Sequence, residues 1–469
     1  MRARLGTLAL AAAMAWACAD ENPLVPVQPA PPVVLAAGIV PNPTNVLSVL
    51  VSVRVTGADS VAVRYHLPGS LPGGDSVAPA VAPSGDSALV PVLGLLPATG
   101  YMLRAVAYGG GDSAAGDSIP FASDTLPADL PRYTAGGSDP SPGYVVFAAG
   151  KYGLVIDNTG RVVWYHRFDP SGPGLNFMAQ PSGRFVARPT TPETADLDLW
   201  VEVDPLGNVT RTFGCANGLQ ARFHDLIAEP DGGYWIMCDE TRVMDLTASG
   251  GVAGARVMGT AVQHVGPGGV LLFEWSPFDH LGITDLDSAS RTGATVNWTH
   301  GNALTLDGGG NLLVSFRSLN ELAKINTTTG DVMWRMGGSR GQFAFVGTPA
   351  PAFLGQHGLR LAGPDTLVVL DNAGDPGESR VERYVFDARV LAARLLDSYG
   401  AAPPVRAPLG GSVQPLPNGR LLVAYGNGAR VEEYDATGTV VWRIEGNPGY
   451  VFRAQRILSL YHPEAGLAR

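Results

Sequence analysis

From about residue 35 to residue 126, apolar and polar residues alternate along the chain. The stretches SVLVSVRVTG from Ser48, SVAVRYHL from Ser60 and SALVPVLGLLPATGYMLRAVAYG from Ser87 carry the pattern. A period of two puts every second side chain on one face, which predicts half-buried strands and a small β-sandwich. Beyond Gly143 the pattern changes to a repeat. A turn followed by a branched or Trp-containing strand recurs as DNTGRVVWYHRF from Asp157, DPLGNVTRTFG from Asp204, RTGATVNWTH from Arg291, NTTTGDVMWRMGG from Asn326 and DATGTVVWRIEG from Asp435. Weaker copies lie near Leu246 and Phe386. A second unit, a Gly/Pro/Asp turn and an apolar strand, precedes each copy, as in PDGGYWIMC, DGGGNLLVSF and PNGRLLVAYG. Four short strands every ~40 to 60 residues predict a β-propeller of six or seven blades. The first copy lacks a leading strand, which the C-terminal YVFRAQRILSLY is expected to supply, hiding both edges.

The fold class is therefore all-β, with an N-terminal sandwich over 35–126 and a propeller over 140–469. Within the sandwich, LLPATGYMLRAVA resembles the tyrosine-corner stretch of fibronectin type III domains, which implies that Tyr101 bonds back to the backbone. The first residues, MRARLGTLALAAAMAWACADENP, read as a secretory signal over 1–17, because the apolar run from Leu5 to Ala17 is too short to span a bilayer. Small residues before Cys18 resemble a bacterial lipoprotein cleavage site, and a Pro-rich tether over 18–34 follows. The protein is expected outside the cytoplasm, periplasmic or at the cell surface, touching the membrane only through a lipid anchor at Cys18; the alternative is an ordinary signal peptide cut nearby, with Cys18 discarded. In such an oxidising compartment Cys215 and Cys238 would pair or remain two buried thiols, and the sequence leaves both open. A net charge of −10 with no Lys/Arg-rich run argues against a nucleic-acid partner.

Aligning the repeats on the turn after the first strand exposes the candidate chemistry. His224 lies seven residues before Asp231, His300 seven before Asp307, and His357 eight before Asp365. His264 begins a shortened strand, Ser412 takes the place in SVQPLPNGRLLV, and Met178 takes it in FMAQPSGRFVA. First strands of propeller blades lie nearest the axis, so these residues are expected to converge. Three or four of the eight histidines sharing one repeat position point to a site rather than to unrelated loop residues. Arg317 follows the second strand of its blade, where other blades hold Asp239, Glu274, Asp371 and Gly426. Such an arginine needs either an anion in the funnel or a neighbouring carboxylate. Three imidazoles could hold zinc or copper, but a nearby guanidinium would repel the metal. Alternatively Arg and protonated His would bind an oxyanion while another His acts as nucleophile or base.

The segments NWTHGN…VSFR, QHGL, FHDL, FEWSPFDHLGITD and FRAQRILSLY resemble the bacterial arylsulfate sulfotransferases. That resemblance implies sulfuryl transfer from an aryl sulfate to a phenol, by a ping-pong route through a sulfohistidine, with no cofactor and no metal. The absence of a G-x-x-x-x-G-K-[ST] loop agrees with a nucleotide-independent donor. It further implies His357 as nucleophile, His300 and Arg317 as clamps on the sulfuryl oxygens, His224 as acid/base at the phenolic oxygen, and Ser412 as a sulfate contact. His264, grouped with the substrate-binding residues, receives no role from it, and His280 reads as a structural loop residue. The family is six-bladed, against seven tails counted here. A non-catalytic ligand-binding propeller and a metal-dependent propeller enzyme remain the competing readings.

Overall fold

The computed structural model describes residues 30–70, 74–168, 176–189, 199–347, 352–373 and 377–464. The predicted signal, Cys18 and most of the tether lie outside these residues. Among them, structure is overwhelmingly β, with one four-residue α-helix, Pro277–His280, and short 3-10 turns. No helix is long and apolar enough to cross a membrane.

The alternating N-terminal segment forms two sheets. One orders Val33–Pro41, Ser48–Thr56 and Ser87–Leu93, and the other Ser76–Val81, Ser60–His66, Gly100–Gly109 and Asp112–Ala122. Their inward faces bury Val49, Val51, Val53, Val61, Val63, Val90, Val92 and Leu103. Tyr101 accepts a bond from the Leu96 backbone N–H at 2.7 Å, the corner expected from the sequence. The Asn42 amide donates to the Leu206 carbonyl and the Leu93 N–H donates to the Tyr461 hydroxyl, tying these sheets to the rest.

Residues 135–457 form six mainly antiparallel sheets of four or five strands among the described residues. The C-terminal Ala454–Ile457 pairs with Tyr144–Ala149 and completes the first sheet, beside Tyr152–Ile156 and Val162–Arg167. The others begin with Phe177–Ala179, Gln220–Ala228, Gly301–Leu306, His357–Gly363 and Ser412–Pro415. Seven tails reduce to six sheets because the third holds two of them. Its third strand is Ala255–Val265, and Thr295–Asn297 adds alongside in parallel.

Neighbouring first strands touch without sharing a ladder, so buried side chains satisfy the backbone groups between them. Gln455 accepts from the Ala179 N–H, and Gln180 donates to the Leu226 carbonyl and accepts from the Ala228 N–H. Asp225 accepts from the Leu304 N–H, and Asn302 donates to the Gln356 carbonyl. Asn372 donates to the Ala407 and Gly410 carbonyls, and Gln414 spans the Arg456 N–H and C=O. Outside this ring, recurrent tryptophans bridge sheets. Trp164 donates to the Pro205 carbonyl and Trp442 to the Asn158 carbonyl. Cys215 and Cys238 are disulfide-bonded with Cα atoms 6.1 Å apart, pinning the entry of the third sheet to its second strand.

Gln414→Leu removes both bonds to the Arg456 backbone and leaves two buried polar groups unpaired. Urea unfolding should show a loss of about 2 kcal/mol or more; an unchanged midpoint would show that these links carry no stability.

Candidate functional site

His357 opens the first strand of the fifth sheet and is buried. Its Nδ1 faces two acceptors, the Gly355 carbonyl at 3.0 Å and Asn372 Oδ1 at 2.8 Å. Asn372 has no freedom to flip, because its Nδ2 donates to two carbonyls at 2.6 and 2.8 Å. The ring proton therefore sits on Nδ1, and Nε2 carries the lone pair. Gly358 follows with φ +66°, and a Cβ there would stand 2.7 Å from Ser412 Cα. Gly301, which follows His300, would place a Cβ 2.7 Å from Thr260 Cγ2. The His-Gly pairs of both repeats thus reflect the close approach of an adjacent sheet.

His300 itself has φ +48°, an unfavourable value for a residue with a side chain. Its carbonyl accepts the Arg317 backbone N–H at 3.0 Å, which joins the two candidate residues at the backbone. Asn297 Nδ2 lies 2.5 Å from its Nδ1. The Arg317 guanidinium donates to the Pro408 carbonyl at 3.1 Å, and its Nε is buried with no partner. Among the described residues no carboxylate pairs with it.

His224 sits in Gln220–Ala228 where pairing to the next strand lapses between Ala221 and Leu226, so the intervening side chains are free to turn inward. Its ring centroid is 5.0 Å from that of His300 and 5.8 Å from Phe452, while Phe452 is 6.2 Å from His357. Two residues earlier on the strand, Arg222 Nε donates to His224 Nδ1 at 2.9 Å and its Nη1 pairs with Asp239. Arg453, wholly buried, donates to Asn176 and to the His224 carbonyl and pairs with Asp225 at 3.2 Å. Asp225 also holds Arg360 at 3.2 Å. Beyond this buried triplet, a cavity of about 330 Å³ opens, lined by the later residues of the first strands.

Burial pushes all three imidazoles toward the neutral form, and the guanidiniums add to it. His300 falls to about 3 through burial, Arg222 and Arg317. His357 falls to about 4 through burial, with Arg317 and Arg453 lowering it against the raising effect of Asn372. His224 lies well below the ordinary histidine value through burial, Arg222, His300, His357 and Arg453. Fixed positive charge in the cluster therefore resides on arginine, whereas the sequence suggested protonated histidine. Among the described residues, no three His, Cys, Asp or Glu side chains are placed to hold a metal ion.

The structure thus brings His224, His300, Arg317 and His357 together, and leaves His264 outside. His264 lies in the third strand of its sheet, stacked on Trp235 at 4.3 Å and bonded to Glu229 at 2.8 Å. Its stretch QHVGPGGVLLFEW is an outer hairpin that mimics an inner one, since both are apolar strands around a Gly-rich turn. Ser412 begins a first strand beside Gly358, its hydroxyl accepts the Ala454 N–H at 3.1 Å, and the residue lines the cavity. His280 stacks on Trp275. Arg222, Asn372, Phe452 and Arg453 escaped the sequence reading. Arg222 left a signal in its i, i+2 spacing from His224 in RFHD, which puts both on one face of a strand, and Phe452 and Arg453 stood unassigned in FRAQRILSLY.

The family model described as Arylsulfotransferase (ASST) matches residues 216–447, which hold all four clustered residues. No curated protein matches the chain. Among solved structures, the chain is similar to a protein of unknown function from Bacteroides caccae, with 12% identity, 67% of this chain and 98% of that chain covered, and a TM-score of 0.44. It is also similar to a streptogramin B lyase, with 13% identity, coverage of 67% and 84%, and a TM-score of 0.37. A third similar structure is catalytically inactive virginiamycin B lyase from Staphylococcus aureus with quinupristin, with 11% identity, coverage of 66% and 87%, and a TM-score of 0.37. Likenesses this distant say nothing about the site.

The neutral cluster has a direct check. In an NMR titration, the His300 and His357 rings should show no protonation from about pH 8 down to about pH 5. A transition near the ordinary value of about 6.5 would contradict it.

Proposed function

We propose that the chain, whose residues 216–447 match the arylsulfotransferase (ASST) family model, is an exported arylsulfate sulfotransferase built on a six-bladed β-propeller. It moves a sulfuryl group from an aryl sulfate to a phenol without a nucleotide donor, through a sulfohistidine at His357. The sequence ahead of the described residues supports export and a lipid anchor at Cys18. Six sheets joined in order, with the C-terminal strand completing the first, support the propeller.

One observation carries the chemistry. A buried imidazole with a bare Nε2, His357, shares a cluster with Arg317, whose guanidinium lacks a carboxylate partner among the described residues. An anionic sulfate ester supplies the missing negative charge. The Nε2 lone pair attacks sulfur as the bond to the aryl oxygen breaks, and charge spreads over the peripheral oxygens. Arg317 offsets that charge, and His300 adds a neutral hydrogen bond. The Gly355 carbonyl and Asn372 Oδ1 hold the Nδ1–H of the sulfated ring, which becomes more acidic as the imidazole gains positive character. A phenolic oxygen then takes the group in the reverse of the first step.

With p-nitrophenyl sulfate, nitrophenol release should require a phenol acceptor. His357→Ala should abolish release, and Arg317→Ala should lower kcat by about 10²–10³-fold. Protonation of His357 removes its lone pair, and its value is lowered to about 4, so kcat/KM for the aryl sulfate should hold at pH 6 and fall only near pH 4. Acceptor-independent release, or full activity in His357→Ala, would defeat the reading.

A further inference from the structure

Arg222 is absorbed by none of the steps above, yet it is buried in the cluster with its Nε 2.9 Å from His224 Nδ1. A guanidinium only donates and stays charged at every working pH. The His224 nitrogen facing it must therefore accept, which puts the ring proton on Nε2. An imidazolium would set two N–H groups against each other across that contact. The groups facing His224 from other elements reinforce this: Arg453 from the C-terminal strand region, and the imidazoles of His300 and His357. The nearest carboxylates are spoken for, Asp239 by Arg222, and Asp225 by Arg453 and Arg360.

Resting on the sulfotransferase reading, we propose that Arg222 is a positioning residue that locks His224 as a neutral Nε2–H donor, so that the phenolic oxygen leaves and enters as phenolate and the site selects acidic phenols. A neutral imidazole parts with its last N–H far less readily than a phenol does, so His224 neither delivers nor removes a proton. In the first half-reaction His357 Nε2 forms the N–S bond. The S–O bond breaks with its electron pair kept by the aryl oxygen, and the phenolate departs under a hydrogen bond from His224. In the second half, an acceptor phenolate, ionised in water before entry, attacks sulfur and the S–N pair returns to His357. This replaces the acid/base role that the family resemblance implied for His224.

Two measurements on the full-length protein test the proposal. Long-range ¹H–¹⁵N NMR should show His224 protonated at Nε2 alone throughout the neutral range. An Nδ1–H tautomer or an imidazolium there overturns the lock, whatever the activity. Across a series of substituted aryl sulfates, kcat/KM should fall on the order of fivefold for each unit rise in the leaving phenol's pKa. In Arg222→Met the slope should flatten, as His224 becomes protonatable, with a new ionisation in its NMR titration. Transfer that proceeds with a flat slope in the unaltered protein defeats this inference alone. A locked tautomer with no transfer from any aryl sulfate defeats the sulfotransferase reading instead. Should Arg222→Met fail to fold, the tautomer and the slope of the unaltered protein still decide.

Discussion

Six first strands, one from each sheet, meet their neighbours through side chains, and none shares a backbone ladder with the next. That constraint shapes everything else in 135–457. Backbone N–H and C=O groups facing the gaps must find partners away from water. Gln180, Gln414, Gln455, Asn302, Asn372 and Asp225 provide them, each reaching into the neighbouring sheet. Short amide and carboxylate side chains suit the task because they present donors or acceptors at a fixed reach. The ring is polar inside for this structural reason, and its polarity becomes the raw material of a site.

Asn372 shows how one group serves both ends. Its Nδ2 ties the fifth sheet to the chain entering the sixth, and that fixes Oδ1 against His357. The tautomer of the proposed nucleophile is thus set by the same bond that holds two sheets together. Asp225 repeats the pattern: it caps the Leu304 N–H while pairing with both Arg453 and Arg360 beneath the cluster. Arg317 has a buried Nε without a hydrogen-bond partner and no carboxylate pair among the described residues, on a backbone bonded to the strained His300. Neutral imidazoles among arginines are the low-energy arrangement once water is removed, since each further proton would add charge to an already positive enclosure.

The strands, the sandwich at the N-terminus and the equivalence of His224, His300 and His357 were legible in the order of residues. Alternation is a local property, and repeat position survives alignment. His264 misled because an outer hairpin and an inner one have the same local pattern of apolar strand, Gly-rich turn and apolar strand. The count of tails exceeded the sheets for a related reason: Thr295–Asn297 looks like any closing strand, and only its parallel partner, Ala255–Val265, shows that it belongs to a sheet already begun.

By itself, then, the sequence determined the β class, the period of the repeat, the completing role of the C-terminal strand and the residues that share a place in successive repeats. Tertiary structure alone decided the protonation and direction of those residues. His357 keeps its Nε2 lone pair free because Asn372, held by the next sheet, claims Nδ1. His224 accepts at Nδ1 because Arg222 turns inward where a ladder lapses. Both depend on which polar groups meet in a dry space between strands, and no pattern along the chain encodes a meeting between distant residues.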